Sequence, residues 1–264
     1  MSTDTPLGPL RIGEDVADAS FLSILHERGL APSWDAGTGT TAHFAEATTV
    51  LALTWSDGVL MAGDRRATAG NVIAHRRIRK VYPADEYSAV AISGTAGMAV
   101  ELIKLFQTEL EHYEKIEGAR LSLEGKANYL ARMVRGNLAL AFQGLVVIPL
   151  FCGYDDTTGM GRLFSFDVVG GRYDELNYAT TGSGGAEAKS FLKSTWKPDL
   201  SRDAALNLAV EALVAAAEED AATGGPDIKR GIYPSVVVVS AEGIEEVQDD
   251  TLAAIAETVL EGRP

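Results

Sequence analysis

Apolar and β-branched residues organise the chain from Thr48 onward. The run TTVLALTW, the turn triplet Ser56-Asp57-Gly58 and the run VLMAG together predict a β-hairpin whose first strand starts at Thr48. Further strands are expected at Ser88 to Ile92, Leu145 to Tyr154, Arg162 to Val168, Tyr173 to Tyr178 and Ser235 to Ser240, most of them bounded by Gly, Asp or Pro. Between them, Met98 to Ile116 puts Leu102, Phe106, Leu110 and Tyr113 on one helical face. Ser122 suits the N-cap of a second helix reaching about Gln143, and a third begins near Ser183. A fourth follows Ser201, with Leu206, Val210, Leu213 and Ala217 on one face. The order is strands, two helices, strands, two helices, strands. Such segregation predicts an α+β body in which helices cover a mostly antiparallel sheet system.

The first 47 residues have a different texture. Pro, Gly, Ser, Thr and Asp are frequent there, and only Phe21 to Leu30 has the spacing of a short helix, so 1–47 reads as an appendage to a body spanning 48–264. With 264 residues and 46% hydrophobic content, the chain can bury a sizeable core. A net charge of −14 argues against nucleic acid or an anionic membrane as partner, and the cluster Arg76, Arg77, Arg79, Lys80 is too short to reverse that. The single Cys152 reads as a core residue in a reducing compartment. No apolar run is long enough to span a membrane and the N-terminus lacks the pattern of a signal peptide, so the cytoplasm is expected.

Several motifs fail on spacing. In TGSGG the third glycine of a dinucleotide fingerprint falls on Glu187, and no GK[ST] follows. No GxSxG occurs, and the four histidines, His26, His43, His75 and His112, have no ligand-like spacing. No metal and no cofactor are therefore expected, and a hydrolase of this sequence needs a base other than histidine.

The segment TTVLALTWSDGVLMAGDRRAT, from Thr48 to Thr68, resembles the mature N-terminus of proteasome β subunits. The likeness continues through RIRKVYPADEYSAVAISGTAG, ELEHYEKIEG, KANYLARMVRGN, FDVVGGRY, TGSGG and EEDAATGGPDIKRGIYPS, blocks that are similar to the actinobacterial type. The resemblance implies the four-layer αββα sandwich of the N-terminal nucleophile hydrolases and an autolytic cut between Ala47 and Thr48 that removes 1–47 as a propeptide. Thr48 matches the nucleophile, whose freed α-amino group is the base. An amine of pKa about 7.7 to 8.0 is roughly 10% neutral at pH 7, against about 0.04% for an ordinary lysine. Asp64 and Lys80 match the pair flanking the nucleophile, the lysine lowering the hydroxyl's pKa and the aspartate holding the lysine.

Ser183, Asp220 and Thr223 match the groups that orient the amine, Thr223 standing where many members carry Ser. Gly94 matches the oxyanion donor. Substrate is expected to add as a strand near Thr68 and Gly94, with Ala67, Ile78, Ile92, Ala96 and Val100 lining the first pocket. None of those five is large, so cleavage after bulky hydrophobic residues, of the chymotrypsin-like kind, is expected. Ala47 departs from the family's usual glycine, and slower processing is the expected consequence. The implied partners are proteasome α subunits and further copies of the chain in stacked heptameric rings, with a ring ATPase acting through the α ring on unfolded or tagged proteins. A small-amide hydrolase and a non-catalytic ring component are alternatives; the joint presence of Thr48, Asp64, Lys80, Ser183 and Asp220 favours the active subunit.

Overall fold

The computed structural model describes residues 48–263. The appendage, its expected helix at Phe21 to Leu30, and Ala47 lie outside the described residues. The expected hairpin is present as β1 (Thr49–Trp55) and β2 (Gly58–Gly63), paired antiparallel with Val50 opposite Gly63 and Trp55 opposite Gly58. These two strands form the middle of a five-stranded sheet in the order β10-β1-β2-β11-β12, where β10 is Tyr178–Gly182, β11 Ser235–Ser240 and β12 Gly243–Glu246. A second five-stranded sheet runs β5-β6-β7-β8-β9, comprising Val81–Asp85, Ser88–Gly94, Val147–Asp155, Met160–Phe166 and Arg172–Glu175. A short ribbon, β3 (Ala67–Ala69) with β4 (Val72–His75), projects beside them.

Strand alternation sorts the side chains into layers. On β1, Val50 and Ala52 face the second sheet and pack with Ala89, Ala91, Leu150, Cys152 and Val237. Leu51 and Leu53 face the other way, onto Leu192, Leu206, Ala209 and Leu213 of the helices. Those belong to α4 (Gly185–Thr195) and α5 (Arg202–Glu219), with α6 (Asp249–Glu261) closing the layer. Opposite, α1 (Ala96–Glu117) and α2 (Leu123–Gly136) bury Leu102, Phe106 and Leu130 against Val90, Phe151 and Phe164 of the second sheet. The result is the expected α+β sandwich of four layers, helix, sheet, sheet, helix.

Several expectations need correction. The run Tyr173 to Tyr178 is not one strand: it breaks at Leu176 and Asn177, and its halves, β9 and β10, belong to different sheets. The helix capped by Ser122, whose Oγ accepts from Gly125 N–H at 3.1 Å, stops at Gly136. A separate turn of helix, α3 (Leu138–Ala141), follows it. The third helix begins near Ser183 as expected, at Gly185, with Ser183 itself in the loop that precedes it. The strands β3, β4, β5 and β12 are short and were not expected, and the helix α6 was missed although Leu252, Ala256 and Val259 recur at helical spacing. Pro83 in β5 is tolerated because that strand is a sheet edge with an irregular register.

Candidate active site

Four separate chain segments converge at the start of β1. Thr48 is 6% exposed, and its carbonyl accepts from Ser183 N–H at 2.9 Å. Asp64 follows β2 directly, so the hairpin pairing brings it beside Thr49; the two backbones exchange Asp64 N–H to Thr49 O at 3.1 Å. Lys80 immediately precedes β5, and its ammonium donates to Asp64 Oδ1 at 2.5 Å. Both side chains are buried.

Asp64 is fully used as an acceptor. Oδ1 also takes Thr49 N–H at 3.0 Å, while Oδ2 takes Arg66 N–H and Gly224 N–H, each at 2.9 Å. Burial pushes the Lys80 ammonium below the ordinary lysine value of 10.5, against the opposing pull of the Asp64 carboxylate. A buried cation is thus held by one carboxylate, which is itself fixed by three backbone donors.

A second network runs from the loop before α4 to the end of α5. Asp220 is the residue that ends α5. Its Oδ2 accepts from Ser183 Oγ at 2.5 Å and from Thr223 Oγ1 at 2.6 Å, and its Oδ1 from Ala222 N–H at 3.1 Å. Burial alone would raise this carboxyl, but the Ser183 and Thr223 hydroxyls with the Ala222 and Thr223 amides bring it below the usual 3.8. Thr223 Oγ1 also lies 2.6 Å from Thr49 Oγ1, and Thr49 Oγ1 accepts from Gly184 N–H at 2.9 Å.

Proton directions in this chain follow by counting. The carboxylate only accepts, so Thr223 donates to it and must accept from Thr49, whose lone pair is used by Gly184. The order Gly184, Thr49, Thr223, Asp220 is therefore a one-way relay of donors. Sequence reading missed Thr49 and Gly184. Neither the Thr-Thr pair nor the TGSGG block marked these two residues in the sequence; the structure gives the reason for glycine at 184, where a Cβ would stand 2.6 Å from Thr223 Oγ1 and 2.9 Å from Thr49 Oγ1.

Gly94 ends β6 at φ +112°, in the region that favours glycine, and a Cβ there would lie 2.1 Å from Val146 O. A narrow cleft joins Thr48, Lys80 and Gly94 to Ile78, Ile92, Ala96 and Val100, with Tyr82 and Ile103 also in its lining. Four of the expected pocket residues thus meet the nucleophile candidate. Ala67 and Thr68 do not line that cleft; both are buried on β3. Cys152 is buried between the sheets, its thiol pushed up by desolvation, as the core reading expects.

An antiparallel αββα sandwich with a threonine, a buried lysine-aspartate pair and a hydroxyl-carboxylate network at the head of a central strand defines the N-terminal nucleophile hydrolase class. Comparison with known proteins narrows this. The family model "Proteasome subunit" matches residues 44–228. A "Proteasome subunit beta" from Streptomyces griseus subsp. griseus is 56% identical over 216 residues, covering 82% of this chain and 77% of the relative. Another of the same name, from Acidimicrobium ferrooxidans, is 55% identical over 238 residues, covering 90% and 86%. The chain belongs to the proteasome subunit family, and is a threonine-type endopeptidase subunit, a hydrolase.

Proposed function

We propose that Thr48 is the nucleophile of a proteasomal peptidase, freed by autolysis of the Ala47–Thr48 bond, with 1–47 as the propeptide. The single observation that carries this reading is the buried Lys80–Asp64 pair, whose lysine lines the cleft together with Thr48 and Gly94. A buried ammonium close to the Thr48 hydroxyl favours its alkoxide electrostatically. The new α-amino group takes the hydroxyl proton and later returns it to the leaving amine. Asp220 and Ser183, tied to the Thr48 carbonyl through Ser183 N–H, orient that amine. Thr223 acts one bond further back, holding Asp220 and Thr49 together. Gly94 N–H donates to the oxyanion, where one aimed donor contributes about 2.7–4 kcal/mol.

Ile78, Ile92, Ala96 and Val100 favour an apolar residue before the scissile bond, in the chymotrypsin-like sense, with substrate extended alongside Thr68. Tyr82 and Ile103 add to the lining of this cleft. The chain works in the cytoplasm with α subunits and further copies of itself in stacked heptameric rings, degrading unfolded or tagged proteins delivered by a ring ATPase. Ala47 in place of glycine slows processing without preventing it. A fluorogenic peptide panel tests the reading: cleavage after Leu, Tyr or Phe, abolished by Thr48→Ala, supports it. Cleavage only after Arg or Asp would overturn the stated preference.

A further inference from the structure

A second cavity also has Thr48 in its lining. Its volume is about 730 Å³, and Thr48, Gly94, Val146, Thr181, Ser183 and Lys189 are among the residues lining it. The size is that of a ligand-binding cleft. It shares only Thr48 and Gly94 with the cleft that contains Ile78 and Val100. Resting on the proposed roles of Thr48 and Gly94, the reacting carbonyl sits at this junction. In that reading the side chain before the scissile bond fills the apolar cleft and the acyl-side backbone runs beside Thr68, which does not line the second cavity; that leaves the second cavity for the departing amine and the residues after it.

Charge in this cavity comes from one residue. Every lining residue except Lys189 is uncharged. Lys189 is exposed, and among the described residues it has no ion pair. Glu187 lies two positions away on α4, a spacing that does not bring side chains together, and it does not line the cavity. Lys189 is four residues beyond Gly185 on α4, about 6 Å along the helix. An extended chain advances about 3.3 Å per residue, so a residue a few positions after the cut lies within the cavity that Thr48 and Lys189 both line.

We propose that this cavity is the leaving-peptide site and that Lys189 selects a carboxylate there. The carboxylate is either an Asp or Glu side chain two or three residues after the scissile bond, or the free terminus of a short leaving peptide. Lys189 is a specificity residue that takes no part in bond breaking. An exposed ion pair of this kind gives about 1.4- to fivefold in kcat/KM, reduced at high salt.

The experiment uses assembled, processed particles and internally quenched peptides that share one acyl half. Their leaving halves carry Glu or Gln at the second or third position with an amidated end, or end there as a free acid or an amide. The readout is the selectivity ratio within each variant, which cancels differences in active-site content. Wild type should prefer the carboxylate member in at least one arm, and the responding arm assigns its source. Lys189→Met should bring that ratio to unity, and Lys189→Glu should invert it. Equal rates for both members of every pair in wild type, or an unchanged ratio in Lys189→Met, would overturn the proposal. A coumarin amide, which has no leaving peptide, separates the two readings: hydrolysis that persists in Thr48→Ala removes the nucleophile assignment, whereas its loss leaves that assignment standing whatever the peptide ratios.

Discussion

Removing either member of the Lys80–Asp64 pair should have unequal costs, because the two ends are held differently. Asp64 is 0% exposed and accepts four donors, of which only one is Lys80. In Lys80→Met the carboxylate keeps three backbone N–H donors, and the desolvation of the ammonium is relieved. The loss is then that of one charged hydrogen bond, about 1.5–3 kcal/mol. Asp64→Asn preserves volume but strands the ammonium, which is 4% exposed. Either orientation of the new amide also turns an NH₂ toward two existing donors. Stripping a buried pair of one partner in this way costs about 3–5 kcal/mol. Lys80 limits the loss by releasing its proton, in keeping with its already lowered pKa. The difference between variants, about 2 kcal/mol, corresponds to roughly 4–8 °C in Tm for a domain of this size. Calorimetry of both variants in a Thr48→Ala background, where processing cannot differ, measures it directly. Asp64→Asn should melt well below Lys80→Met, and the reverse order would refute the account of the pair. With Thr48 present, both variants should lose peptidase activity.

Gly94→Ala puts a methyl against Val146 O and demands φ +112° of a residue with a Cβ; peptidase kcat should fall about 10²-fold through displacement of the oxyanion donor. Thr223→Ser keeps the relay and should retain most activity, whereas Thr223→Val leaves Thr49 without an acceptor and should cost about 1–3 kcal/mol of stability by urea unfolding. The Asp220 carboxyl titrates below 3.8 when folded, so its stabilisation is complete above that pH and is lost as pH falls through the lowered value. Asp220→Asn should therefore unfold with a flatter acid dependence than wild type; an identical acid limb would contradict the hydrogen-bonding assigned to it.

Much of the layered body was legible because its strands alternate cleanly, as Val50, Leu51, Ala52 and Leu53 do between two cores. The helix face of Leu102, Phe106 and Leu110 was equally clear, and all three are buried, while Tyr113 emerges at the helix surface. What escaped was short or set by distant partners. The ribbon β3–β4 is short: β3 has three residues, and β4 is largely exposed with no buried period to read. The split of Tyr173 to Tyr178 depends on which sheet each half joins, a decision made by β1 and β8 and not by the segment itself.

Site geometry was legible only through family resemblance. Composition gave no reason to join Asp64 with Lys80, or Ser183 with Asp220, across such sequence separations. The resemblance placed Thr223 among the groups that orient the amine, and only the fold shows its hydroxyl bridging Thr49 and Asp220.

Everything proposed for the chemistry depends on a free amine at Thr48. Intact-mass analysis of the complex assembled with its α partner tests this most directly, with Thr48→Ala as the control. The account predicts a mature chain beginning at Thr48 in wild type and an uncut chain in the variant. A full-length 264-residue chain in active wild-type particles would contradict it.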